Sequence, residues 1–359
     1  MSPKSPSVGL SPLSDLDDII IDDTLKDRDL KEWINKEEEI NSKTLRLLKK
    51  RVNTLANSRE FQWMDIGCGD GRCLSVLQMF LKANKKSKLK RIHYLGVDKS
   101  KENIEKAEEC SSNFSVDAKF LESDAKEINY ISRFDIISAI LFLHEVDAIF
   151  LPNILWNLLN ALNEKGSLLI SDFNNPYEQE KEIIIWSYKE IISIVEDLGG
   201  LVERFEILES MDVPNLWFYN LCIRRYKLNP ERLDNFLDNY AEMLKNKMYK
   251  LGDERASLET ALNARMCDIL GKQIPSKKLS KTDRRLLKDN LSLEDRIAYR
   301  RKLLIQDQIN TLLNKTRKMD KYLAVKNLRS NKSNMDNDFY REILDIISRD
   351  EYYSIIQSK

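Results

Sequence analysis

The chain has 359 residues, 42% apolar and 32% charged, with 58 basic side chains balanced by 58 acidic ones. That length supports two domains and excludes a small stapled scaffold. The neutral total removes any global electrostatic argument for a nucleic-acid or membrane partner, and ten Gly with eight Pro point to a helix-rich soluble protein rather than a sandwich or barrel.

Residues 1–14 are rich in Ser and Pro, carry no apolar leader, and are expected to be disordered. No window holds 18 continuous apolar residues, so the chain is expected to be cytoplasmic. The five cysteines (Cys68, Cys73, Cys110, Cys222, Cys267) are odd in number and show no C-x2-C spacing, which fits reduced thiols. Only His93 and His144 could join them as ligands, so no metal site is expected.

Residues 15–58 form an acidic helical segment. Asp15 to Ile40 holds eleven acids against four bases, and a helix over 41–56 ends at Asn57-Ser58. Residues 59–228 alternate short apolar runs with amphipathic ones, the pattern of a parallel sheet covered by helices on both faces. Strands are predicted at 61–66, 91–97, 117–122, 134–140, 166–172, 202–208 and 215–225, and helices at 71–83, 100–112, 148–163 and 177–198. A charged surface loop is predicted over 84–91. No helix separates the last two strands, so they should form an antiparallel pair at the sheet edge. The expected fold is thus α/β, a Rossmann-like seven-stranded, mostly parallel sheet, followed over 229–359 by a basic all-α domain. In that domain Leu237, Tyr240, Leu244, Met248 and Leu251 recur at helical spacing.

The most informative stretch is Phe61-Gln-Trp-Met-Asp-Ile-Gly-Cys-Gly-Asp-Gly, an apolar strand that ends on Asp65 and runs into Gly67-x-Gly69-x-Gly71. Glycines at this spacing allow a ligand to approach the backbone closely. The dinucleotide fingerprint would place its third glycine where Arg72 stands. A second strand ends on Asp98. These residues resemble motifs I and II of the class I S-adenosylmethionine (SAM)-dependent methyltransferases. Phe120-Leu-Glu-Ser-Asp124-Ala125, the strand from Phe134 to His144, and the stretch from Leu158 to Gly166 resemble later motifs of that family in the expected order, over residues 60–226.

The resemblance implies a methyltransferase with SAM as cofactor. It implies cofactor contacts at Asp65, Gly67, Cys68, Gly69, Gly71, Asp98, Lys99, Asp124, Ala125 and Ile140. Tight-turn and capping roles remain the structural alternatives for the glycines, Asp98 and Asp124. His144, just past the fourth strand, is either a general base or a packing residue. Metal-assisted transfer is not expected, because Ile140-Leu141 occupy the fourth-strand end, where an acid would be needed, and Phe173 separates Asp172 from Asn174, where an Asp-Asn pair would be needed. Asn175-Pro-Tyr177 is taken for a loop.

Residues 272–332 hold 18 Lys and Arg against six acids. Lys277, Lys278, Lys281, Arg284 and Arg285 are therefore candidates to deliver a nucleic-acid acceptor, RNA before DNA. A solvated helical face, an acidic protein partner or the chain's own acidic N-terminal segment are the alternatives. Small-molecule or protein methylation, and a non-catalytic scaffold with this fold, are the competing functions.

Overall fold

The computed structural model describes residues 44–75, 77, 92–111, 116–175, 183–209, 216–273 and 279–330. The expected disordered start, most of the acidic segment, the 84–91 loop, Lys277 and Lys278 lie outside the described residues.

Helix α1 (Arg46–Ser58) leads into β1 (Phe61–Ile66). Then follow β2 (Ile92–Asp98), α2 (Lys101–Ser111), β3 (Asp117–Glu122), β4 (Phe134–Ile140), α3 (Leu151–Ala161), β5 (Leu162–Phe173), α4 (Tyr188–Leu198), β6 (Gly200–Glu209) and β7 (Trp217–Arg225). The seven strands lie in the order β3-β2-β1-β4-β5-β7-β6. The first five pair in parallel, whereas β7 runs antiparallel to both β5 and β6. The strand order confirms the Rossmann-like expectation, including the antiparallel edge pair. Because β1 pairs with both β2 and β4, the chain reverses direction there, the place where open α/β sheets hold ligands beyond their strand ends.

Two apolar layers hold the sheet. On one face Leu45, Leu48, Val52 and Leu55 of the α1 region pack on Phe61, Trp63, Ile136 and Leu169. On the other, α3 and α4 cover Met64, Ile137, Leu168 and Ile170. Helix α4 starts at Ser187, whose side chain accepts from the Glu190 backbone while the Glu190 carboxylate accepts from the Ser187 backbone. The expected start at 177 is therefore too early, because residues 183–187 are not helical and this reciprocal cap sets the boundary.

The C-terminal region is a pair of long antiparallel helices, α5 (Pro230–Leu270) and α7 (Leu293–Ser330), with short α6 (Lys281–Asn290) between them. Asn229 caps α5 ahead of Pro230 at its first turn, and Gly271 at φ +61° ends it. Leu237, Tyr240, Ala241 and Leu244 of α5, with Leu312 of α7, belong to the same apolar cluster as α3 and α4. Polar contacts reinforce this docking: the Tyr240 hydroxyl donates to the Ala148 carbonyl at 2.6 Å, and buried Lys247 pairs with Glu190 at 2.8 Å. A smaller cluster of Leu262, Met266, Leu279, Leu287 and Tyr299 holds the far end of the helices. Among the described residues no helix is long and apolar enough to cross a membrane.

Candidate functional site

The loop after β1 is stitched to the end of β2. The Gly67 and Cys68 amides donate to the Val97 carbonyl at 2.8 and 3.0 Å, and the Gly69 amide donates to Asp98 Oδ2 at 2.9 Å. Gly67, Gly69 and Gly71 all have positive φ, at +67°, +53° and +79°. A side chain at Gly69 would meet no atom within 4 Å, so what its absence keeps open is space above the loop.

That space is a cavity of about 310 Å³, within the range of small-molecule sites. Of the residues expected to touch a cofactor, Asp65, Gly67, Cys68, Gly69 and Ile140 line it. Leu45, Asp70, Arg72, Cys73, Asn103 and Leu141 line it as well, and sequence reasoning had not singled them out for this. Asp70 and Arg72 sit inside the glycine motif and were findable there. Asn103 carried no local signal, because α2 brings it to the cavity from another segment.

Gly71, Asp98, Lys99, Asp124 and Ala125 are not in the cavity wall. Asp98 stands beside it, holding the loop through Gly69 and accepting from the Ser100 amide at 2.8 Å. Asp124 caps the short turn Ala125–Glu127 by accepting from the Lys126 amide. Gly71 lets the following helical turn approach α2, since a Cβ there would lie 3.2 Å from the Ala107 methyl.

Asp65 is buried, yet its carboxylate is satisfied by the hydroxyls of Ser138 and of Tyr94, the latter at 2.9 Å. Trp63 Nε1 donates in turn to Ser138 Oγ at 2.8 Å, so a chain of polar groups runs across β1, β2 and β4. Burial pushes the Asp65 carboxyl up to about 6, against the pull of these donors and with some help from the Asp98 charge. The Cys73 and Cys68 thiols are pushed up by burial too, which keeps them neutral.

His144 lies on the turn Leu143–Glu145 after β4 and is buried. Its Nδ1 meets Asp172 Oδ1 at 2.6 Å, its backbone amide reaches Asp172 Oδ2 at 3.2 Å, and the Phe173 ring packs on it at 5.0 Å. The Phe173 amide also donates to Asp172 Oδ1, at 2.8 Å, so the side chain that meets the imidazole is itself held in place. The sequence named both residues, but nothing in their spacing joined them. Asn174 and Asn175 organise their loop by accepting from the Tyr188 and Trp217 amides. Among the described residues no cluster could hold a metal ion.

Residues 33–202 match a family model described as a methyltransferase domain. The matched span runs from ahead of α1 into β6. No curated protein matches the chain. Solved structures similar to it include magnesium protoporphyrin IX methyltransferase from Synechocystis PCC 6803 with bound SAM, at 14% identity and a TM-score of 0.42 over 61% of this chain and 99% of that one. A protein from Pyrococcus horikoshii aligns at 18% identity and a TM-score of 0.41 over 53% and 91% of the two chains. A SAM-dependent methyltransferase from Aquifex aeolicus aligns at 19% identity and 0.38 over 49% and 88%.

Of the nucleic-acid candidates, Lys281 and Arg285 are exposed one turn apart on α6, and Arg284 is half-buried. Other bases of this region pair within the chain: Lys272 with Asp283, Arg301 with Glu254, Lys302 with Glu259 and Lys315 with Asp147.

Proposed function

We propose that the chain is a SAM-dependent methyltransferase. The observation that carries this is the cavity at the sheet's switch point, lined by open glycine backbone and Asp65, with Asp98 beside it on the Gly69 amide. The residues suit such a cofactor. Asp65 offers charge to an ammonium, the loop leaves room above Gly69, and Asp98 has the chemistry to take ribose hydroxyls in exchange for its present amide partners. When bound, SAM supplies an activated methyl group. The chain's task is then to orient the acceptor, exclude water and accept a proton where the acceptor carries one. His144, oriented by Asp172, is the proton acceptor in this reading.

The internal ion pairs of the basic region account for part of its charge excess, which supports a small-molecule acceptor over a nucleic acid. Calorimetry tests the core of the proposal. The folded chain should bind SAM and its demethylated product, S-adenosylhomocysteine. Asp98→Ala should weaken both by about 1.5–3 kcal/mol or more, because it removes the ribose acceptor and frees the Gly69 amide. A folded chain that binds neither is no SAM-dependent methyltransferase.

A further inference from the structure

The register of the last three strands sets Ser171 of β5 opposite Asn220 of β7, and Asn220 opposite Glu206 of β6, so the three side chains share one face of the sheet. It is the face of Leu169 and Cys222, which lie two residues along on β5 and β7 and pack with the α1 layer. On β4 the neighbour of Ser171 is Ile140, a wall of the cofactor cavity, and the amide of Leu141 donates to the Ser171 carbonyl at 2.7 Å. The polar row therefore begins where the cavity ends. It reaches the sheet edge two strands further on, about 10 Å away at ordinary strand spacing.

The row holds buried oxygens with nothing to bond at its two ends. Ser171, 1% exposed, has no partner for its Oγ, and Glu206 has none for Oε2. Buried oxygens of this kind are destabilising unless something satisfies them. Glu206 Oε2 can only accept from a donor while the carboxylate is ionised, and a serine hydroxyl can accept too. Two residues along in the other direction, on the same face, lie Phe173, Phe218 and Leu208, which cluster with Leu141. Leu141 itself has φ +51°, a left-handed backbone that a branched side chain adopts only when its surroundings hold it there. That strained residue is the joint between the cavity and the row.

We infer that the row Ser171, Asn220 and Glu206 is the acceptor subsite, and that it takes a small molecule bearing a cationic N–H donor group, an ammonium or guanidinium, on an apolar body. The cation sits at Glu206, a further N–H or hydroxyl meets Ser171, and the body lies along Phe173 and Phe218. The row thus selects for positive charge, whereas a carboxylate of the same size would face Glu206 as a like charge. This inference rests on the methyl-transfer reading, since it is the cofactor cavity that makes the row an acceptor site.

Calorimetry on the full chain, saturated with S-adenosylhomocysteine at pH 7.5, tests it with 4-phenylbutylamine, 4-phenylbutyrate and 4-phenylbutanol as probes. The amine should bind more tightly than the other two. Glu206→Gln should weaken it tenfold or more and Ser171→Ala severalfold, while both variants bind S-adenosylhomocysteine as the parent does. That control also shows that they fold. Binding of the cofactor product with no probe bound, with the carboxylate or alcohol bound as tightly as the amine, or with Glu206→Gln leaving the amine unaffected, overturns the inference alone. Failure of the parent to bind the cofactor product overturns the methyl-transfer reading and this inference with it.

Discussion

Replacing Asp65 with asparagine separates the energetic cost of the site from its purpose. Burial raises this carboxyl from 3.8 to about 6. Two pKa units at 1.36 kcal/mol each mean that keeping Asp65 ionised at neutral pH destabilises the folded chain by about 3 kcal/mol. The folded chain holds the proton up to about pH 6, whereas the unfolded chain releases it near 3.8. Asp65 therefore makes stability fall as pH rises through that window and stay level above it. Asparagine has no charge to bury and keeps an oxygen for one of the two hydroxyls, so it forfeits one hydrogen bond worth about 1 kcal/mol. The ligand-free variant should then be more stable than the parent at pH 7 by about 2 kcal/mol. The same substitution removes the charge offered to the cofactor's ammonium, so SAM affinity should drop by about 1.5–3 kcal/mol, roughly ten- to a hundredfold. Urea unfolding between pH 4 and 8, with calorimetry on both proteins, measures the two effects. A variant less stable than the parent at pH 7, or one whose stability declines over pH 4 to 6 as the parent's does, refutes the reasoning.

Three further outcomes are expected. If His144 accepts the proton, His144→Gln should remove an ionisation from the pH profile of the maximal methylation rate, and Asp172→Asn should shift it, with cofactor affinity kept in both; an unchanged profile returns the pair to a packing role. Leu244→Ala, in the cluster that α5 shares with α3 and α4, should cost about 2–5 kcal/mol in chemical unfolding. Circular dichroism and tryptophan fluorescence should then show one common transition. For nucleic acid, Lys281→Glu with Arg285→Glu in the full chain should abolish any RNA binding whose affinity falls log-linearly with salt; a parent chain that binds no RNA at about 50 mM salt rules that partner out.

Much of the fold was legible because it is local. Buried strands are short apolar runs, and β1 to β4 lie within one residue of the predicted spans because turn residues bound those runs. The start of α4 was readable too, in the Ser187-x-x-Glu190 pattern, but the apolar residues 183–186 continue the helical stripe and mask it. The glycine loop and Asp65 announced the cavity, since positive φ and a strand-end acid are written in one stretch of chain.

What the sequence by itself determined was therefore the sheet's elements and the cofactor loop, whose chemistry depends on neighbours along the chain. The tertiary structure decided what depends on neighbours in space. It places β7 between β5 and β6, which makes one row of Ser171, Asn220 and Glu206. It brings Asp172 onto His144 across 28 residues. It also docks the stripe of Leu237, Tyr240 and Leu244 on the sheet's own helices, although the composition changes sharply at Asn229-Pro230. An apolar stripe states only that a face must be buried. Which surface buries it is settled by shape and by polar partners such as Glu190 for Lys247, and those exist only once the chain has folded.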